Sequence, residues 1–213
     1  MSFKITGLPQ SVCTIRVMEV LAEKGVTNFE MYKPNMATKE HKSKVHTDKQ
    51  PFGVIPILED DGLTLYESRA ICRYLAIKFH SQGTPLVPAL DDQKGWAFFE
   101  QHASVEVTHF DAFANLICMQ KVFNPMKGLP TDNAVLEFAM EGLKQKLAIF
   151  DTILGKQAYM GGEVFSLIDI FYMPLMRTLF KAGSGNLIEG APNVNEWWQK
   201  VSGRDSWRKV TQA

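Results

Sequence analysis

Ser11 lies just after an alternating run, Phe3-Lys4-Ile5-Thr6, and opens a stretch whose apolar residues Ile15, Met18 and Leu21 recur at helical spacing. A hydroxyl at a helix start stands beside backbone N–H groups with no partner inside the helix, and the macrodipole there favours negative charge. The chemistry on offer is stabilisation of an anion, a thiolate included. A free thiol ionises near pH ~8.5, and each unit of lowering corresponds to about 1.4 kcal/mol. A hydrogen bond to a charged group contributes roughly 1.5–3 kcal/mol, so one hydroxyl and a helix terminus supply about one to two units. Read alone, Ser11 is a helix cap. Glu67-Ser68 repeats the arrangement: a serine opens a run with Ile71, Tyr74, Leu75 and Phe79 at helical spacing and offers its hydroxyl to a carboxylate. His41-Lys42 brings a donor and a point charge to a polar stretch that otherwise reads as solvated surface.

The elements that must position these groups are short. Phe3–Thr6 and Phe29–Tyr32 read as strands on either side of the Ser11 helix, which Gly25 stops; this βαβ unit should have parallel strands. Residues 33–49 are polar and read as irregular. Two apolar runs then flank Glu59-Asp60-Asp61-Gly62, a hairpin signal. Pro56 lies inside the first run, so that strand is open at Pro56 or the bond before it is cis. The Ser68 helix completes a βαβ-ββα domain over residues 1–82. Residues 81–88 are a linker by composition. Beyond it, residues 91–213 read as all helix: a long apolar segment from Asp91 to Phe123, a break at Asn124–Pro130, and a helix capped by Thr131-Asp132 that carries Val135, Phe138, Leu143, Leu147, Phe150 and Leu154. A further helix opens at the Ser166-x-x-Asp169 box, and a last short one holds Trp197-Trp198. The expected fold class is α/β followed by all-α.

Composition narrows the function classes. Lys+Arg and Asp+Glu are both 23, giving no basic excess for nucleic acid. No apolar run approaches the ~20 residues of a membrane span, and the first residues lack the apolar core of a signal peptide. Three scattered cysteines, Cys13, Cys72 and Cys118, have no CxxC spacing, which argues for a reducing compartment, the cytosol by default, and against a disulfide framework or zinc site.

The residues above, taken together, resemble the glutathione transferases, and Pro9-Gln10-Ser11-Val12-Cys13-Thr14-Ile15-Arg16-Val17 resembles the Pro-x-Ser-x-x-Thr-x-Arg-Val run of their phi class from plants and fungi. The resemblance implies a thioredoxin-like domain and an all-helical domain, with glutathione as co-substrate and no metal or other cofactor. It implies that Ser11 donates to the glutathione sulfur. Lys39-Glu40-His41-Lys42-Ser43 resembles the stretch whose His-Lys pair reaches the glycyl carboxylate. Gln50-Pro51-Phe52-Gly53-Val54-Ile55-Pro56 resembles the family's Pro-Phe-Gly-Gln-x-Pro run, with Val54 where the family has glutamine, which removes one side-chain amide contact. The backbone of Ile55, before Pro56, would pair with the cysteinyl backbone as an added strand. Glu67 would meet the ammonium region of the γ-glutamyl end and Ser68 its carboxylate.

The resemblance further implies a site for a hydrophobic or aromatic electrophile above the sulfur, between the two domains. Val12, Met36, Phe110, Phe113 and Met119 are expected to line it, with Phe110, Phe113 and Ile117 on one helical stripe. It implies a cytoplasmic, detoxifying homodimer acting by thiolate attack on an electrophile or a peroxide. Two other readings share the fold: a non-catalytic carrier of flat aromatic ligands or an interaction domain, toward which Val54 leans, and a thiol transferase using Cys13. Related classes carry such a cysteine at the position of Ser11, whereas Cys13 lies in the first turn and reads as a packing residue.

Overall fold

The computed structural model describes residues 3–212. The chain divides into two compact units, residues 1–87 with 205–213, and residues 88–204.

The first unit runs β1 (Phe3–Thr6), α1 (Val12–Glu23), β2 (Phe29–Tyr32), α2 (Lys44–Thr47), β3 (Ile57–Asp60), β4 (Leu63–Tyr66) and α3 (Ser68–Lys78). The sheet order is β2-β1-β3-β4. β1 and β2 are parallel, while β3 runs antiparallel to both β1 and β4, as the βαβ and hairpin signals require. Asp61 and Gly62, both at positive φ, turn the hairpin. Ile5, Val17, Val20, Leu58, Ile71 and Leu75 are fully buried and form the core under the sheet. The bond before Pro56 is cis, and β3 begins one residue later. Residues 33–49, expected to be irregular, contain a 3₁₀ turn at Glu40–Lys42 and the short helix α2. Ser43 caps α2, its hydroxyl accepting from the His46 N–H at 3.4 Å. Four residues are too few to leave a periodic pattern in the sequence.

In the second unit α4 (Gln93–Val105), α5 (Ala112–Cys118) and α6 (Asn124–Met126) are joined by π-helical turns at Glu106–Asp111 and Met119–Phe123. The expected break at Asn124 comes one turn later, after Met126. α7 (Asn133–Leu154) is capped by Asp132, which accepts from the Val135 N–H at 3.1 Å. The apolar stripe expected on α7 is buried at Leu143, Leu147, Phe150 and Leu154, but Phe138 is 65% exposed. α8 (Leu167–Lys181) starts at the expected capping box. Asp169 of that box is fully buried and also accepts from the Met160 N–H at 2.9 Å and the Trp197 Nε1–H at 2.8 Å. Burial raises its carboxyl pKa, against the hydrogen bonds that lower it. α9 (Asn186–Glu189) and α10 (Pro192–Ser202) close this unit.

α11 (Asp205–Gln212) corrects the expected boundary. The sequence placed residues 91–213 in one helical domain, yet α11 belongs with the first unit. It must bury Trp207, which is 4% exposed, and it brings the Ser206 hydroxyl to Glu19 at 2.8 Å and to Glu23 on α1.

Candidate active site

Strand register gathers the candidate residues at one end of the sheet. Thr6, the last residue of β1, pairs with Tyr32, the last of β2, and with Ile57, the first of β3. Ile57 in turn pairs with Tyr66, the last of β4. The segments entering or leaving the sheet at that end carry Ser11, His41-Lys42, Ile55-Pro56 and Glu67-Ser68. Ligands of open α/β sheets characteristically bind at such carboxyl ends.

Ser11 occupies the N-cap position of α1 with extended backbone, φ −72° and ψ 131°, and is half-buried. Its side chain makes no capping hydrogen bond. The hydroxyl stands at a helix start without being spent on the helix. Cys13, in the first turn of α1, is half-buried, with Sγ 3.9 Å from Nη1 of Arg16. Cys72 and Cys118 are buried, and burial pushes each thiol up to about 12, so neither is a nucleophile near neutral pH.

Arg16 joins the two helix starts. It is 1% exposed, and its Nη1 donates to Ser68 Oγ at 2.8 Å across 52 residues of sequence. That bond fixes the Ser68 hydroxyl beside the free N–H groups of α3. Ser68 itself is 5% exposed. Glu67, just before it, has φ 68° and ψ 108°, a region that side chains other than glycine rarely adopt. A non-glycine residue held there costs on the order of 1–3 kcal/mol, and such strain clusters at ligand sites.

His41 and Lys42 lie on the 3₁₀ turn. Lys42 is exposed, and its Nζ donates to the Phe52 carbonyl at 3.1 Å. Gly53 permits that approach: its φ is +61°, and a Cβ there would stand 2.8 Å from Lys42 Cδ and 2.9 Å from the His41 carbonyl. Burial lowers the His41 pKa, helped by the charges of Lys42, His46 and Lys39, so the ring stays neutral at pH 7. Its Nδ1 is buried without a hydrogen-bond partner among the described residues. The Tyr32 hydroxyl donates to Glu40, which also accepts from the Asn35 N–H at 2.7 Å, and together these pin the loop that carries the turn.

Val54 is 46% exposed. The Ile55 backbone, half-buried ahead of Pro56, takes no hydrogen-bond partner among the described residues.

Residues 1–77 match the family described as glutathione S-transferase, N-terminal domain, and residues 112–205 the family described as glutathione S-transferase, C-terminal domain. The chain belongs to the glutathione S-transferase family. Glutathione S-transferase hmp2 of Hypomyces subiculosus is 36% identical over 99% of the chain and 98% of its own length. The crystal structure of glutathione transferase F7 from Populus trichocarpa superposes with a TM-score of 0.93 at 33% identity, covering 99% of this chain and 98% of that one. Glutathione S-transferase I from maize, solved in complex with an atrazine glutathione conjugate, superposes with a TM-score of 0.89 at 32% identity over 99% of this chain and 96% of its own. The phi-like resemblance is thereby established, and with it the thioredoxin-like and all-helical fold.

Within this transferase, the expected apolar lining divides. Phe110 is a correction: it is 1% exposed, its ring 4.8 Å from Tyr172, and it belongs to the core of the second unit. Phe110, Ala114 and Ile117 together form the buried face of this segment, so the stripe on which the expectation rested points into the core. Ile117 is likewise fully buried, whereas Phe113 is half-buried, its ring 5.9 Å from that of Phe138 and tilted to it, and seated over Gly142. Met119 is half-buried in the second π turn. Val12 is half-buried in the first turn of α1, and Met36 is 39% exposed. Three polar residues of this glutathione transferase were not singled out from sequence: Arg16, His46 and Gln50. Arg16 stood inside the quoted motif, but only its partner, far along the chain, reveals its part.

Proposed function

We propose that this chain conjugates glutathione to hydrophobic electrophiles, with peroxide reduction as a side activity. The observation that carries the proposal is Ser11, a capping position whose hydroxyl caps nothing and stands at the N-terminus of α1. Glutathione lies extended along the sheet end. Its γ-glutamyl carboxylate meets Ser68 and the α3 terminus, with the hydroxyl oriented by Arg16, while Glu67 receives the ammonium. The cysteinyl backbone pairs with Ile55 as an added strand against Pro56. Lys42 retains two ammonium protons beyond its bond to Phe52 and takes the glycyl carboxylate, with His41 as a neutral donor beside it. Val54 contributes no polar side-chain contact.

Ser11 then donates to the sulfur, favouring the thiolate over the thiol, and the thiol proton leaves to solvent. The thiolate lone pair forms the new S–C bond as the electrophile's leaving group departs with its electrons. Val12, Met36, Phe113 and Met119 are the apolar side chains assigned to the electrophile. We assign the enzyme to the cytosol as a homodimer, following the family. Among the described residues no helix is long and apolar enough to cross a membrane.

The test is calorimetric titration with glutathione of the wild type and Ser11→Ala, alongside chlorodinitrobenzene conjugation across pH. Ser11→Ala should bind glutathione with little change, lose about ten- to hundredfold in rate, and show an apparent thiol pKa raised by about one to two units. A wild type that does not bind glutathione would replace the transferase with a carrier or interaction role. Activity that survives Ser11→Ala and disappears with Cys13→Ala would make the chain a thiol transferase.

A further inference from the structure

Two polar side chains are buried where none of the chemistry above uses them. His46 is 7% exposed and Gln50 is 0% exposed. Both direct their hydrogen bonds to one residue. His46 Nε2 lies 2.8 Å from the Val54 carbonyl oxygen, and Gln50 Oε1 accepts from the Val54 N–H at 3.3 Å. A carbonyl can only accept, so Nε2 carries the ring proton. The far end of the Gln50 amide, Nε2, is buried with no partner among the described residues. Together His46 and Gln50 satisfy both polar groups of the Val54 backbone, and so set how its peptide planes are turned. Satisfying those groups does not by itself say which way the next N–H faces.

The geometry of the peptide bond does. In a trans peptide the C=O and the following N–H point in opposite directions. The cis bond here is Ile55–Pro56, and Val54–Ile55 is trans. By drawing the Val54 carbonyl toward α2, His46 turns the Ile55 N–H the other way. That N–H takes no hydrogen-bond partner among the described residues. Ser43 in turn holds His46, through its cap on the His46 N–H.

We propose that His46, with Gln50, is a positioning residue for glutathione: it holds the Val54 peptide so that the Ile55 N–H is aimed at the cysteinyl carbonyl of the tripeptide. The inference rests on the transferase reading above and adds the means by which a site lacking a polar side chain at Val54 still fixes the middle of its ligand. The contact sits on the backbone, where the residue at position 54 can vary without removing it.

Three measurements test it, beginning with glutathione KM and kcat of His46→Phe and His46→Gln. The phenylalanine removes the donor while keeping comparable bulk; the glutamine keeps an N–H. His46→Phe should raise the glutathione KM about three- to tenfold, the loss expected for one backbone hydrogen bond. The apparent thiol pKa in its pH profile should not move, because Ser11 sets it. His46→Gln should recover most of the KM. In the wild type, hydrogen exchange of the Ile55 amide should slow at saturating glutathione, and in His46→Phe it should not. A His46→Phe protein with a lowered melting temperature but wild-type KM would show a structural role only and overturn the proposal. So would a wild-type Ile55 amide whose exchange ignores glutathione, a result that needs no variant to fold. A wild type that neither binds nor conjugates glutathione would instead remove the transferase reading, and this inference with it.

Discussion

Glu67 is the residue at which stability and binding should respond with opposite signs. Its φ of 68° with ψ 108° lies in the left-handed region, and the next residue begins α3. Its carbonyl still accepts the Ile71 N–H at 2.9 Å, so the conformation is locked into the first turn of that helix. Holding a residue with a Cβ there costs on the order of 1–3 kcal/mol. Glycine adopts such angles freely but adds about 0.5–1 kcal/mol of unfolded-chain entropy. Glu67→Gly should therefore stabilise the protein by about 0.5–2 kcal/mol, which for a chain of this size corresponds to a rise of roughly 2–4 °C in Tm per kcal/mol. Glu67→Ala retains the Cβ and should show no such gain. Both variants lose the carboxylate assigned to the glutathione ammonium, and both should raise the glutathione KM. The assay is thermal and urea unfolding of the three proteins beside their glutathione kinetics. If Glu67→Gly melts no higher than Glu67→Ala, the backbone at Glu67 stores no strain and the reasoning fails.

Asp60 offers a pH-dependent test. Burial raises its carboxyl pKa, but hydrogen bonds from Lys78 and from the Tyr74 hydroxyl, at 2.8 Å, hold it below the ordinary range. A depressed folded-state pKa contributes stability that is present above the unfolded value of about 3.9 and is lost as pH falls through the folded one. Urea midpoints should thus decline below about pH 4, and Asp60→Asn should flatten that limb while lowering stability at pH 7. Gly142→Ala probes the electrophile side: the new Cβ would stand 2.2 Å from Phe113 Cε1 and displace the ring. The KM for chlorodinitrobenzene should change severalfold while that for glutathione holds; equal KM values for the electrophile would remove Phe113 from its site.

The first unit was legible because its signals are local. Asp61-Gly62 between apolar runs, Ser11 before a periodic stretch and Glu67-Ser68 before another each declare an element within a few residues, and the elements then leave few topologies. What the sequence withheld is non-local or too short to be periodic. Arg16 acquires its part only through Ser68, and His46 only through the Val54 carbonyl, on a helix of four residues. The stripe Phe110, Phe113 and Ile117 misled because helical spacing shows which residues share a face but not what that face meets, and Phe110 and Ile117 turn into the core of the second unit. α11 went unread since its polar residues outnumber its apolar ones, and Trp207 is its one buried side chain among the described residues.

The contact between α11 and α1 also constrains the order of assembly. Ser206 meets Glu19 across 187 positions of sequence, with the whole of residues 88–204 made in between. On the ribosome, the sheet and its two long helices emerge first, yet Glu19 and Glu23 of α1 lack their Ser206 partner until a segment translated much later arrives. The second unit, whose packing joins helices close in sequence, can complete itself during that interval. The half of the protein that carries Ser11 is thus begun first and finished last.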